Sequence, residues 1–176
     1  MLLSLLKKRR SIRKYQPRPI EKEKIETLIE ALLRSPSSRN LNPWQFVLVS
    51  EPGLLGKLGR SKEHGSGFLK GAALAVVLLA DPARCDVWVE DCAVAATILQ
   101  LTAEEMGLGS CWVQIRLRQH SSTISAQHYI KELLQIPDNL EVASIISLGY
   151  PDETKRPHTQ ESLNYDKVFY NVYGQS

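Results

Sequence analysis

The run Ala72 to Ala80 is the longest apolar stretch in the chain and constrains its fold more than any other segment. Gly71 precedes it, and Asp81-Pro82 closes it. Its length suits a strand, and its lack of polar alternation requires burial on both faces. Such a strand needs a layer of structure on either side. The run is too short to cross a bilayer as a helix, which takes about 20 residues.

The pattern on either side supplies those layers. Val87 to Met106 reads as the longest helix, with Val89, Cys92, Ala93, Ala96, Leu99 and Ala103 on one side and Val94, Ile98, Leu101 and Met106 on another. Apolar residues over so much of the circumference mean burial in a core or a subunit interface, and the alanines allow close approach. A homodimer with this helix near the interface is therefore expected. Glu21 to Arg34 is an amphipathic helix with Ile25, Leu28, Ile29, Leu32 and Leu33 at helical spacing. Residues 2–9 and 54–58 read as short helices, and 126–135 as another. Strands are expected at 45–50, 111–115 and 142–148. The order helix, helix, strand, helix, strand, long helix, strand, helix, strand is that of an α+β or α/β domain. At 176 residues the chain suits one domain, taken as 1–176.

The chemistry concentrates near the N-terminus. In Lys8-Arg9-Arg10-Ser11-Ile12-Arg13-Lys14-Tyr15, five of eight residues are cationic and a hydroxyl sits among them. Arg forks hold a doubly charged phosphate through several planar hydrogen bonds, and Ser11 can add a donor. On a helical turn, Arg9 and Arg13 would share a face. Charge alone favours the plainer reading, a solvated basic face or an arm on nucleic acid; the rest of the chain reverses that preference. The net charge of +3 is too small to argue for a nucleic-acid protein by itself, but from Lys7 to Arg18 the cations stand together with no acid between them. That asymmetry calls for a local anion.

Two other stretches have the composition of ligand loops. Ser35 to Trp44 is dense in Ser, Asn and Arg, and is either a plain turn or a loop that satisfies a polar heterocycle. Gly107-Leu108-Gly109-Ser110 follows the long helix; Gly107 alone suffices as its C-cap, and the glycines also permit close backbone approach to a ligand. Cys85, Cys92 and Cys111 match no zinc or redox spacing and read as reduced core thiols. His64 and His128 read as exposed. No Rossmann fingerprint, catalytic triad or metal-ligand spacing is present. Leu2 to Leu6 is too short for a secretory signal, so a cytoplasmic location is expected.

Arg9-Arg10-Ser11-Ile12-Arg13, Pro36-Ser37-Ser38-Arg39-Asn40 leading to Asn42-Pro43-Trp44-Gln45-Phe46, Gly107-Leu108-Gly109-Ser110-Cys111-Trp112 and Gly149-Tyr150-Pro151 together resemble the FMN-dependent nitroreductase family. The resemblance runs from about Leu3 to Pro151. It implies an α+β fold with a central, mainly antiparallel sheet flanked by helices. It also implies an intertwined homodimer with the segment from about residue 152 crossing to the partner and two FMN molecules in the interface. By position, Arg9, Arg10, Ser11 and Arg13 would hold the phosphate and ribityl chain and reach the pyrimidine edge. Pro36, Ser37, Ser38 and Asn40 would line the flavin from the other subunit. Trp112, Val113 and Gln114, with Ile115, would run beside it, and Lys155 or Arg156 would complete the phosphate site. Larger members carry an Asn and a Lys for the flavin before the second strand; Lys62 to Lys70 has a lysine at each end and no asparagine. The long insertion that forms a substrate lid in those members is absent as well.

The resemblance implies an oxidoreductase that passes hydride from NADH or NADPH through FMN to a small acceptor such as a nitroaromatic or quinone. Neither nucleic acid nor membrane is expected as a partner, and no side chain need act as the catalytic acid or base. The alternative is a flavin-binding or sensing protein with little reductase turnover, and a nucleic-acid binder is the third reading.

Overall fold

The computed structural model describes residues 1–175. Its elements follow the expected order: α1 (Leu2–Lys8), α2 (Lys22–Leu33), β1 (Trp44–Val49), α3 (Pro52–Leu58), β2 (Leu74–Ala80), α4 (Trp88–Glu105), β3 (Gly109–Gln114), α5 (Ala126–Leu134) and β4 (Glu141–Gly149). The four strands form one antiparallel sheet in the order β1-β2-β4-β3. The fold is α+β, a helix-flanked antiparallel sheet, as the resemblance implies.

Every residue of β2 is buried, and the two-residue period of a strand divides its side chains between two cores. Leu74, Val76, Leu78 and Ala80 pack with Leu28 and Leu32 of α2 and with Cys92, Ala95, Ala96 and Leu99 of α4. Ala75, Val77 and Leu79 face Leu55 and Leu58 of α3 and Ala126 and Ile130 of α5. The apolar run therefore lies at the middle of a three-layer molecule. The strand begins at Leu74 rather than at Ala72, the start of the apolar run, because Gly67–Gly71 forms a 3-10 turn just before it.

Helix α2 buries a narrower face than its sequence suggests. Leu28 and Leu32 are fully buried, but Leu33 is 60% exposed because it lies about 100° around the helix from Leu32. Helix α4 buries Cys92, Ala95, Ala96, Leu99 and Ala103, and leaves Val94 exposed with Ile98 and Leu101 half-buried. It ends as expected: Gly107 has φ +76, and Leu108 N–H donates to Ala103 O at 2.8 Å. The three cysteines are free and buried, and His64 and His128 are exposed.

Both ends of the chain lie on the surface. No residue of α1 is buried. Its Leu3 and Leu6 line a groove with Leu163 and Tyr165 of the C-terminal segment. That segment is exposed from Thr154 to Gln175. Its aromatic residues have one contact within the stretch, Phe169 on Tyr173 with centroids 4.6 Å apart, which the sequence did not indicate. No helix among the described residues is long and apolar enough to cross a membrane.

Candidate functional site

The basic cluster is not helical. Helix α1 stops at Lys8, and Arg9 takes an extended conformation (φ −57, ψ 127). The chain then runs along the sheet as a strap. Ser11 bridges to Ser110 at the start of β3, Ile12 N–H donates to Ser110 O at 2.9 Å, and Tyr15 bridges to Pro151 beyond β4. The one-turn helical arrangement of Arg9 and Arg13 is thus replaced by alternation along an extended chain. Arg9, Ser11 and Arg13 still act together. All three bear on the buried Cys111 thiol, which burial raises above its ordinary value and they draw back down.

Two glycines seat the strap. A Cβ on Gly109 would lie 2.8 Å from Ile12, and one on Gly149 would lie 2.9 Å from the Tyr15 ring. The close approach permitted by Gly109 therefore serves the chain's own Ile12 rather than a ligand. Tyr15 fastens the strap from below: its hydroxyl donates to Ile12 O at 2.5 Å and meets Ser147 Oγ at 2.6 Å. Burial raises its phenol far above the ordinary value, so it stays neutral. Glu153 fastens it from the far side, accepting N–H groups from Arg13 at 2.6 Å and Lys14 at 3.2 Å. With Lys155 Nζ 2.8 Å away, the Glu153 carboxyl is held down at about 2, by Lys155 first and the Arg13 amide second.

These contacts leave specific cations unpaired. The Lys155 charge is turned toward Glu153, and Arg10 donates to the Arg156 carbonyl. Among the described residues, the guanidinium groups of Arg9 and Arg13 have no carboxylate partner; Arg13 lies 5.8 Å from the Phe68 ring centroid. Two free Arg forks beside a serine hydroxyl are a donor set that fits a phosphate. The strap covers only the beginning of β3. Beyond the bridge to Ser110, the outer edge of this edge strand has no strand partner among the described residues, so the backbone groups of Trp112 and Gln114, which alternate with those of Cys111 and Val113 turned to β4, face outward there. Side chains brace the edge: Trp112 Nε1 donates to Gln114 Oε1 at 3.0 Å, and Gln114 Nε2 donates to Arg116 O at 3.0 Å.

The serine loop is as tightly built but lies elsewhere. Arg39, Asn40 and Asn42 all have positive φ (52, 55 and 47), a conformation that costs L residues energy and that Asn tolerates best. Ser37 Oγ accepts the Asn42 N–H at 2.9 Å, and Arg39 pairs with Asp86. The buried Asp91 of α4 anchors the loop, accepting Ser38 N–H at 2.8 Å and the Cys85 thiol at 3.3 Å. This loop therefore stands at the N-terminal end of α4. The strap stands at the other end, where Lys8 approaches Glu104 at 3.8 Å. Asp91 and Glu104 are thirteen residues apart on one helix, about 20 Å along its axis. Within one chain, Pro36, Ser37, Ser38 and Asn40 are not brought to Arg9, Ser11 and Arg13.

Sequence reasoning missed Tyr15, Ser147, Glu153 and Asp91. Only Asp91 left a trace, as an acid in the first turn of an otherwise apolar helix. Among the described residues no cluster of His, Cys, Asp and Glu could hold a metal.

The comparisons with known proteins bear on the family and the fold. A model described as the Nitroreductase family matches residues 6–60 and 54–150. A solved FMN-dependent nitroreductase from Clostridium difficile R20291 is 44% identical, with a TM-score of 0.96 over 97% of this chain and 99% of that one. A protein of Archaeoglobus fulgidus named "Putative NADH dehydrogenase/NAD(P)H nitroreductase" is 35% identical, covering 94% of this chain and 95% of its own length. An iodotyrosine deiodinase of Thermotoga neapolitana is 28% identical over nearly the full length of both, 98% and 99%.

Proposed function

Because the chain belongs to the nitroreductase family, we propose that it is an FMN-dependent oxidoreductase, using NADH or NADPH to reduce a small acceptor such as a nitroaromatic or quinone. The observation that carries this reading is the pair of unpaired Arg9 and Arg13 forks flanking Ser11 at the head of the open β3 edge. Bound FMN would supply the two-electron chemistry for which the protein offers no side chain.

The chain's own residues supply binding, orientation and charge. Arg9, Ser11 and Arg13 hold the phosphate and ribityl end, and Arg10, fixed on the Arg156 carbonyl, adds its charge beside them. Lys155 and Arg156 border the same site from the C-terminal side. Trp112, Val113 and Gln114 would border the ring system, with the outward backbone groups of Trp112 and Gln114 turned to it. Positive charge and fixed amides beside it would favour an anionic form of such a ring.

The 20 Å separation on α4 supports a site completed by a second copy, whose Pro36, Ser37, Ser38 and Asn40 would form the other wall. The whole chain, 1–176, is one domain in this reading, and its exposed segment from about residue 152 crosses to the partner. The half-buried Ile98 and Leu101 and the exposed Val94 are apolar surface that such a partner would cover.

The test is rapid anaerobic mixing of FMN-loaded protein with NADH or NADPH, followed by addition of a nitroaromatic or quinone. Fast bleaching and fast recovery of the flavin spectrum are expected. Slow bleaching with either donor points instead to a flavin-binding protein without efficient turnover, the reading that the missing asparagine between Lys62 and Lys70 favours.

A further inference from the structure

A second group of cations lies at the far end of the open β3 edge, and the proposed FMN site does not use it. The turn after β3 carries Arg116, Leu117 and Arg118, and the loop after α3 carries Arg60 and Lys62. Among the described residues, none of these four cations has a salt-bridge partner. The acid nearest in sequence, Glu63, is exposed.

The two segments are locked together. His120 Nδ1 lies 2.9 Å from Arg60 O, the His120 ring stacks on Tyr129 with centroids 4.1 Å apart, and Tyr129 OH donates to Lys57 O at 3.2 Å. The Arg118 backbone is held on both sides, its N–H on Ile115 O at 3.0 Å and its carbonyl on Ala126 N–H at 2.9 Å. The scaffold thus holds the loop that carries Lys62 against the turn that carries Arg118. The Lys62 ammonium is pushed down, first by burial and then by the Arg118 charge. Leu117 between the two arginines has φ 59 and is 79% exposed, a strained conformation for a bulky residue. Two cations without an ion-pair partner among the described residues, on segments locked side by side, form a site for an anion.

We propose that Lys62 and Arg118, with Arg60 on the same loop as Lys62, bind the anionic end of a substrate at the β3 edge: the phosphates of the reduced dinucleotide or a carboxylate on the acceptor; Arg116 is turned instead to the Trp88 ring, 5.7 Å away. This inference rests on the proposed function. The turn follows directly on Gln114, whose Nε2 donates to Arg116 O at 3.0 Å, so the patch adjoins the β3 edge at the end opposite Arg9, Ser11 and Arg13.

The experiment compares FMN-loaded wild type with R118Q, K62Q and the double variant. With one acceptor held constant, kcat/KM is measured for NADH, NADPH and the uncharged donor 1-benzyl-1,4-dihydronicotinamide. With one donor held constant, it is measured for 4-nitrobenzoate and nitrobenzene. The ratio of charged to uncharged substrate should fall about tenfold per charge removed and lose its dependence on ionic strength. A fall in the donor ratio identifies the dinucleotide phosphates, and a fall in the acceptor ratio identifies the carboxylate. Ratios unchanged in both series overturn the proposal while leaving the flavin reading intact. If the wild type reacts with no donor, the flavin reading fails. Calorimetric titration with inorganic pyrophosphate then decides on the patch: binding must be present in wild type and weakened in R118Q and K62Q, and equal binding overturns it.

Discussion

Glu153 shows how one residue 140 positions away in sequence can set the geometry of a binding arm. Its carboxylate receives the Arg13 and Lys14 amides and faces Lys155. E153Q keeps the shape and removes the charge. At neutral pH it should cost about 1–2 kcal/mol in urea denaturation and loosen FMN binding. The sign of the pH dependence follows from a carboxyl held at about 2 against an ordinary 4.5. Its stabilisation is full above the ordinary value and is lost as pH falls toward 2. The difference between wild type and E153Q should therefore shrink across that window; a constant difference would rule out the charge as its cause. Gly109 makes the complementary case by size. G109A puts a methyl 2.8 Å from Ile12, so the strap must lift, at about 1–3 kcal/mol, and retained flavin should fall. Full flavin retention in G109A would show that the strap's seat is irrelevant to binding.

Among the elements, those with one dominant periodicity were legible in the sequence. The unbroken apolar run from Ala72 and the long helix around Cys92, Ala96 and Leu99 gave the two central pieces, and the order of all nine elements followed. The boundaries drifted: β2 starts after the Gly67–Gly71 turn, and β3 starts at Gly109 because Gly109 and Ser110 already pair with Gly149 and Leu148 of β4. The strand order β1-β2-β4-β3 was not legible, since pairing depends on long-range contacts that local patterns do not encode. The same holds for the anchors. Asp91 meets Ser38 across 53 residues, and an acid in a helix's first turn reads from sequence as a favourable charge near the helix dipole. The helix turn imagined for Arg9 and Arg13 failed because the sheet edge offered that segment backbone partners. The α4 layer itself is tested by L99A, since Leu99 is fully buried against the sheet. A loss of about 2–5 kcal/mol is expected in urea denaturation. A loss below 1 kcal/mol would contradict the packing described.

For the whole molecule, one chain carries the basic strap and the serine loop at opposite ends of α4 and a tail whose Tyr165, Tyr170 and Tyr173 are largely exposed. A pair of chains resolves both features if each tail crosses to its partner. Removing residues 158–176 should then shift sedimentation toward monomer and reduce FMN retention together. A truncated chain that stays dimeric with full flavin would assign the tail another role. The central claim, that the Arg9, Ser11 and Arg13 cluster and the β3 edge bind FMN, is tested most directly by one measurement. It is the visible absorption spectrum of the purified protein after incubation with FMN and desalting. The account expects a flavin spectrum retained at about one FMN per chain. A colourless protein would contradict it and leave the basic strap as an ordinary solvated surface.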